Sequence, residues 1–396
     1  MKIFTYDIIE RHLNTIGEGN EVDEALTLPI ISQDILGINV INKSWSWKTT
    51  MGRQIMFVLL TIYASLCCLD FVKDATDAAS INQAYFGMLY TLLIQLKIFL
   101  LINSRENFKK SYLIAKTALF EIVKSDSLDK SAKLLKQFKS MVYIFVGVVI
   151  VPLAGYMINV GWHYFILGTR INLITHSSLF PMTSPYYEFG LIYQTIIYFL
   201  LLIPCFVVDF WFVIFIFTFC TASESLVEML KVQHDSDESE MEYKNRLNDT
   251  LKAFYGNHVK LVEFFNILNS MYKWQAVIPL FSAFATICVL LFTMAEDMQW
   301  HFVMTHASPA FFQISAYNWF GEQVIFQGCE LCNTLMEFDW TSMRLKDKKN
   351  YFIIIGHMHK EFKITTALGN DLSLLTMSSL LKASYQTCAL LRSMDI

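Results

Sequence analysis

The chain has 396 residues, of which 54% are hydrophobic and only 17% are charged, and its mean hydropathy is +0.40. A soluble globular protein carries a larger charged surface, so the composition indicates a membrane protein. The formal net charge of −4 adds little, because a membrane divides it between two sides.

Apolar stretches recur along the chain, and each approaches the roughly 20 residues with which an α-helix crosses about 30 Å of hydrocarbon. They cover residues 55–69, 84–102, 141–166, 189–219, 274–295, 302–328 and 372–391. Residues 1–15 mix charged with apolar side chains, so we expect no cleavable signal peptide and a first span that inserts by itself. The pattern predicts an all-α membrane protein with seven transmembrane helices in one embedded domain.

Lysine and arginine fall mainly in alternate connections. The connections between spans two and three, four and five, and six and seven are basic, whereas the others contain only Lys73 and Arg170. Because basic loops stay in the cytoplasm, the N-terminus is predicted to be cytoplasmic and the C-terminus extracellular.

The connection between spans four and five contains an acidic run, 235–242, which we interpret as a solvated face or loop. Apolar residues then recur at helical spacing, which predicts an amphipathic helix that continues toward span five. His258 lies in this stripe and is interpreted as a hydrogen-bonded packing residue, because no partner for metal binding stands four residues on. The stripe comprises Leu247, Leu251, Phe254, His258, Leu261, Val262, Phe265 and Leu268.

The outer connection, 167–188, contains Pro181, Pro185 and a cluster of aromatic residues. It indicates either a folded lid over the helix ends or an interfacial aromatic belt. Aromatic residues also concentrate in the outer halves of several spans, where an apolar cavity would bind a small hydrophobic ligand. The candidate ligand-binding residues are Tyr85, Phe86, Leu89, Val151, Gly155, Asn159, Trp162, Tyr193, Ile197, Tyr198, Phe311, Phe312 and Ser315.

Polar residues inside the spans are few. Lys97 is predicted to extend to the cytoplasmic headgroups, and Asp209 and Glu322 to face protein or water. The last span is rich in hydroxyls and contains Lys382, which favours a helix that lines water in a shared pore over a packed helix. Its candidate pore-lining residues are Ser384, Cys388 and Leu391, which share one face, and Arg392 at the outer mouth.

Catalytic motifs are missing from the sequence. There is no GxSxG, HExxH, P-loop or dinucleotide fingerprint. We therefore expect neither an enzyme nor a catalytic residue, and no cofactor, metal or nucleic acid.

The last third of the chain resembles the C-terminal region of insect odorant receptors. Tyr317, Trp319, Phe320 and Gly321 precede Glu322, Glu330, Phe338 and Trp340; a basic link follows, and then Ser384-Tyr385 and Ala389-Leu390-Leu391. Leu36-Gly37-Ile38, the outer loop and His258-x-x-Leu261-Val262 also fit, so the resemblance covers almost the whole chain.

This resemblance implies a receptor for small, volatile, hydrophobic odorants in the plasma membrane of the olfactory sensory neuron dendrite. It also implies an odorant-gated, non-selective cation channel, a heterotetramer with the olfactory co-receptor, embedded in membrane lipid. The corresponding segments are a cytoplasmic 1–50, spans one to six with an outer pocket over 51–328, cytoplasmic anchoring helices over 329–370 and a pore-lining helix over 371–396.

Other classes of membrane protein fit the sequence less well. Tyr385 lacks the downstream Gln-Phe of gustatory receptors, and the co-receptor itself is longer. A G-protein-coupled receptor would have its N-terminus outside, an Asp-Arg-Tyr after span three and an Asn-Pro-x-x-Tyr in span seven. A transporter would show an inverted repeat. The odorant, the subunit stoichiometry, conduction without the co-receptor and the position of the gate are left open.

Overall fold

The structure is a computed structural model that describes residues 21–38, 41, 46, 48, 92–171, 180–234, 238–293, 300–358 and 362–393. Its helices are α1 (Glu21–Ala25), α2 (Thr27–Leu36), α3 (Leu92–Asn103), α4 (Arg105–Ile114), a π-helix (Ala115–Leu119), α5 (Phe120–Asp126), α6 (Leu128–Phe165), α7 (Tyr186–Leu230), α8 (Glu240–Gln275), α9 (Val277–Thr293), α10 (Trp300–Glu337), α11 (Leu345–Met358) and α12 (Leu374–Ser393). Apart from one isolated bridge between Thr365 and Asp371, the described ranges contain no β-structure. The predicted all-α class is confirmed.

The predicted spans three to seven coincide closely with α6, α7, α9, α10 and α12. Span one lies outside the described residues, and α3 covers the second half of span two. Within the described part of the chain, Val207–Leu230 is the one stretch both long and apolar enough to cross a membrane, with a mean hydropathy of 1.8. The number of spans and the orientation of the termini stay predictions.

Several helices continue well past their apolar stretches. α7 has 45 residues, which correspond to about 67 Å at 1.5 Å per residue, more than twice the hydrocarbon thickness. α6 begins 13 residues before position 141, and α10 continues to Glu337 without a break at the predicted segment boundary of 328/329. The extra turns extend the bundle beyond the apolar layer on the side predicted to be cytoplasmic.

α7 lies at the centre and packs against α6, α8 and α10. Its middle is a run of buried aromatic side chains. The Trp211 ring meets Phe108 and Tyr112 of α4 edge to face, at centroid distances of 5.3 and 5.6 Å, and Phe212 stacks on Tyr317 of α10 at 4.4 Å. These are favourable ring geometries, and they fix α7 against its neighbours.

The predicted amphipathic helix is confirmed as α8. A capping box joins Ser239 and Glu242 at its start, where each side chain satisfies a backbone N–H of the other residue. The apolar stripe from Leu247 to Leu268 is buried except for the half-buried Val262, and the helix leads directly into α9. Sequence periodicity alone therefore places this helix and its packed face.

A buried carboxylate of helix α1 binds two side chains of the region after α3. Asp23 is buried and accepts hydrogen bonds from the Tyr112 hydroxyl and the Lys116 ammonium group. Burial, together with the hydrogen bond to this carboxylate, raises the pKa of Tyr112. The interaction connects the N-terminal segment to α4 and to the π-helix.

Candidate ligand-binding and pore sites

The predicted ligand-binding residues fall into three groups. Tyr85, Phe86 and Leu89 lie outside the described residues, as do the side chains of Ile197 and Tyr198. On α6, four candidates are exposed in the single chain: Val151, Gly155, Asn159 and Trp162.

On α7 and α10 the remaining candidates are partly covered. Tyr193 is half-buried and packs edge to face with Phe180, and Phe311 and Phe312 are about half exposed. The hydroxyl of the half-buried Ser315 is enclosed and has no hydrogen-bond partner among the described residues. That all these residues line one cavity stays a prediction.

The described part of the outer connection is folded against the helix ends. The Tyr187 hydroxyl donates to the carbonyl oxygen of Ile171 at 2.7 Å, and the Tyr164 hydroxyl donates to Glu188 at 3.1 Å. The Tyr164 and Tyr187 rings stack with their centroids 5.8 Å apart. The Arg170 guanidinium lies over both rings, at 5.9 and 5.6 Å, and donates to the carbonyl of Met182. These contacts favour the folded lid over an interfacial aromatic belt.

Asp209 of α7 is the centre of a buried polar cluster. Its carboxylate accepts from Lys97 Nζ of α3 at 2.8 and 3.0 Å. From α10, Gln313 Nε2 donates at 2.6 Å and the Tyr317 hydroxyl at 2.7 Å. The cluster therefore connects three helices through one carboxylate, and the prediction that Asp209 faces protein or water is confirmed, with protein as the partner.

Lys97 corrects a sequence prediction. It does not extend to the headgroups: its side chain is buried and forms an ion pair with Asp209. A buried ammonium group without a partner would be costly, whereas an ion pair that is also hydrogen-bonded recovers much of that cost. The sequence does show opposite charges in two otherwise apolar spans, and this was the only sign of an ion pair. Because Lys97 and Asp209 are far apart in sequence, the pattern could not show that they are in contact.

Two of the four predicted pore-lining residues, Ser384 and Cys388, lie on the packed face of α12. Ser384 and Cys388 are buried, and the Cys288 thiol of α9 donates to the carbonyl oxygen of Ser384 at 3.7 Å. The side chains of Leu391 and Arg392 lie outside the described residues. That this face lines a pore stays a prediction, and burial against the chain's own α9 argues for the opposite face.

The exposed surface of α12 combines polar, small and large apolar side chains. In the single chain its exposed residues are Leu374, Leu375, Ser378, Ser379, Lys382, Ala383, Tyr385, Gln386, Ala389, Leu390 and Ser393. Ser379 satisfies its hydroxyl within the helix by donating to the carbonyl of Leu375 at 2.9 Å. Polar side chains left uncovered in one chain suit contact with water, and the exposed leucines suit contact with another subunit.

Among the described residues, no group of three or more His, Cys, Asp or Glu side chains could hold a metal ion. A family model described as 7tm Odorant receptor matches residues 77–385, which is most of the chain. This chain belongs to the 7tm odorant receptor family.

Solved structures support the same fold. The insect olfactory receptor OR5 from Machilis hrabei superimposes with a TM-score of 0.70 at 14% identity, over 93% of this chain and 99% of that chain. The structure of the same receptor in complex with eugenol gives a TM-score of 0.65 at 16% identity, over 94% and 100%. A comparison with curated proteins finds no match.

Proposed function

We propose that this chain is an odorant receptor that binds small, volatile, hydrophobic molecules and acts with an olfactory co-receptor as a cation channel gated by the odorant. The channel is a heterotetramer in the plasma membrane of olfactory sensory neuron dendrites, and it is non-selective among cations. The observation that carries the proposal is the match of the odorant receptor family model to residues 77–385.

The odorant binds in the outer half of the bundle, between the spans that include α6, α7 and α10. Support comes from the aromatic candidates there and from the eugenol complex of a receptor with this fold. An enclosed aromatic cavity holds such a ligand by burial and dispersion, which need few polar groups. The enclosed and unpaired hydroxyl of Ser315 is available to orient a ligand that has a polar atom.

Conduction follows the exposed face of α12, and the cytoplasmic helices hold the subunits together. Burial of Ser384 and Cys388 leaves Lys382, Tyr385 and Ala389 on the face available to an axial pore. On α11, Phe352 is 55% exposed in the single chain. A large apolar side chain on a cytoplasmic helix suits an interface with a neighbouring subunit.

Odorant dose–response curves from cells that co-express the co-receptor test the binding site. Truncation of a wall aromatic to alanine removes about 1–3 kcal/mol of ligand burial, so we expect Phe312→Ala to raise the half-maximal concentration by about 5- to 150-fold. Phe326→Ala is the matched control, because Phe326 is also exposed on α10 but lies in its inner half.

Surface biotinylation must show equal amounts of each variant at the membrane. Unchanged dose–response curves for Tyr85→Ala, Tyr198→Ala and Phe312→Ala together would place the binding site elsewhere. No odorant-evoked current from the wild-type chain with its co-receptor, across a broad volatile panel, would contradict the proposed function itself.

A further inference from the structure

One turn of α10 holds the N-terminus of α12. The backbone N–H of Ser373 donates to Asn318 Oδ1 at 3.2 Å, and the backbone N–H of Leu374 donates to Glu322 Oε2 at 3.1 Å. Asn318 and Glu322 are four residues apart and therefore lie on the same face of α10. Two consecutive amide groups at the start of α12 are thus satisfied by a different helix.

The chemistry suits a helix N-terminus. The first N–H groups of a helix have no partner within it, and the helix dipole favours a negative charge there. Ser373 supplies a local cap by accepting from the N–H of Thr376 at 3.2 Å, and Glu322 supplies the carboxylate. The buried amide of Asn318 is itself oriented, because its Nδ2 donates to the carbonyl of Ile314 at 2.8 Å.

Gly321 lets the two segments approach closely. A Cβ atom at this position would lie 2.3 Å from the carbonyl oxygen of Leu372 and 2.5 Å from the Leu372 Cβ. Both distances are far below van der Waals contact, and the obstacle includes backbone. A residue other than glycine would therefore separate α10 from the start of α12.

The segment before α12 is also fixed on its other side. The N–H of Leu372 donates to the carbonyl of Ile364 at 2.9 Å, and the N–H of Thr365 donates to Asn269 Oδ1 of α8 at 2.9 Å. The N–H of Ala367 donates to the carbonyl of Lys273 at 2.8 Å. Residues 364–373 thus form a short brace between α8 and α10, and α12 begins from it.

α10 carries three of the ligand candidates, Phe311, Phe312 and Ser315, and this junction on one continuous helix. Phe312 and Ser315 lie toward its outer half, Gln313 and Tyr317 contact Asp209, and the junction follows within the next turn. A helix is stiff along its axis, so a displacement at the outer end is carried to the junction.

We propose that Asn318, Gly321 and Glu322 are positioning residues that couple α10 to the pore helix, so that movement of α10 on odorant binding sets the position of α12. The coupling acts through the N-terminus of α12 and needs no contact of these residues with the odorant or the pore. This inference rests on the proposed function, because it requires a channel opened by odorant.

A double-mutant cycle isolates the Glu322 contact. Leu374→Pro removes the backbone N–H that donates a hydrogen bond to Glu322. Leu374 is the first residue of α12, a position at which proline is well tolerated. Leu374→Ala is the matched control, because it shortens the same half-exposed side chain and keeps the amide. Glu322→Ala removes the carboxylate, and Trp319→Ala, on the exposed side of the same turn, controls for truncation in α10.

We expect Glu322→Ala and Leu374→Pro each to change the half-maximal odorant concentration or the deactivation rate by about three- to tenfold, the scale of one carboxylate–helix interaction. Adding Glu322→Ala to Leu374→Pro should then have little further effect, because the partner amide is already gone. The two controls should behave as wild type at equal surface expression. If the contact had a purely structural role, the substitutions would lower the amount of receptor at the surface. The effect of Glu322→Ala on the odorant response would then not depend on whether Leu374→Pro is present.

Fully additive effects, or effects no larger than those of Leu374→Ala and Trp319→Ala, would overturn the inference. If Glu322→Ala does not reach the surface, Glu322→Gln, which keeps one acceptor oxygen, replaces it in the cycle. If the wild type gives odorant-evoked current but the effects of the two substitutions simply add, only the coupling is refuted. Absence of any odorant-evoked current in the wild type refutes the proposed function instead.

Discussion

His258 shows how burial changes the chemistry of a single residue on the predicted cytoplasmic side. Its ring stacks on Phe254 and meets the edge of Phe362, and its Nε2 has no hydrogen-bond partner among the described residues. Burial lowers the pKa of His258 from 6.5 to about 4. The packing role predicted from the sequence is confirmed, but the expected hydrogen bond at Nε2 is not found.

The pKa of His258 makes stability depend on pH. The folded pKa lies below the unfolded value, so the unfolded chain binds the proton more readily, and the stabilisation is complete above pH 6.5 and lost as the pH falls toward 4. We expect this loss to reach about 2 kcal/mol at pH 5 and to disappear in His258→Phe, which keeps the stacking shape. Melting temperatures of the solubilised receptor between pH 7.5 and 5 measure it, with the exposed His357→Gln as control. Equal pH dependence in wild type and His258→Phe would contradict the assignment.

The Lys97–Asp209 ion pair gives a second prediction for a single residue. Lys97→Met leaves the buried carboxylate with the neutral donors Gln313 and Tyr317, and removal of one partner from a buried pair costs about 3–5 kcal/mol. We expect a lower melting temperature for Lys97→Met and a partial recovery in Lys97→Met/Asp209→Asn, where no charge is left alone. A double variant that is less stable than Lys97→Met would show that the carboxylate is not the source of the cost.

Among the elements, those whose signal is local were predictable from the sequence. The stripe of α8 repeats at the helical period over six turns, and the apolar stretches coincide with α6, α7, α9, α10 and α12. Partners distant in sequence were not predictable: Lys97 and Asp209 are 112 residues apart, and Asn318 and Ser373 are 55 apart. Such pairs depend on how helices pack, which periodicity does not encode.

The packed face of α12 was also not predictable from the sequence. Helical spacing correctly groups Ser384 with Cys388, but it does not tell which face of a helix meets its own subunit. Hydroxyl content suggested water, whereas serine in a helix often bonds to the carbonyl four residues earlier, as Ser384 does with Leu380 at 2.9 Å.

The contact between α10 and the start of α12 gives a prediction about helix packing. Gly321→Ala places a methyl group against the backbone of Leu372, so we expect loss of stability by about 1–3 kcal/mol. Gly256→Ala on α8 is the matched control, because a Cβ added at this position meets nothing within 4 Å. Helix propensity alone should make this variant about 1 kcal/mol more stable than the wild type. Thermal unfolding of both variants gives the comparison. Equal stability of the two variants would mean that the approach of α10 to residue 372 is looser than described.

At the scale of the whole molecule, the distribution of basic residues predicts a cytoplasmic N-terminus and an extracellular C-terminus. We expect an epitope tag at the C-terminus to bind antibody on intact cells, and a tag at the N-terminus to bind only after permeabilisation. A tag on the connection at 167–188 should stain intact cells as well. The reverse pattern would contradict the orientation and with it the placement of the ligand site in the outer half.

The most direct test of the central claim, that odorant opens a channel of which this chain is a subunit, is current in excised outside-out patches. Cells expressing this chain with the co-receptor supply the patches, and the bath and pipette contain no nucleotide. We expect an odorant active on whole cells to evoke current in these patches, reversing near 0 mV as a non-selective cation pore requires. A response that vanishes on excision and returns only when GTP is supplied to the inner face would show that the chain signals through a G protein, and would contradict the claim.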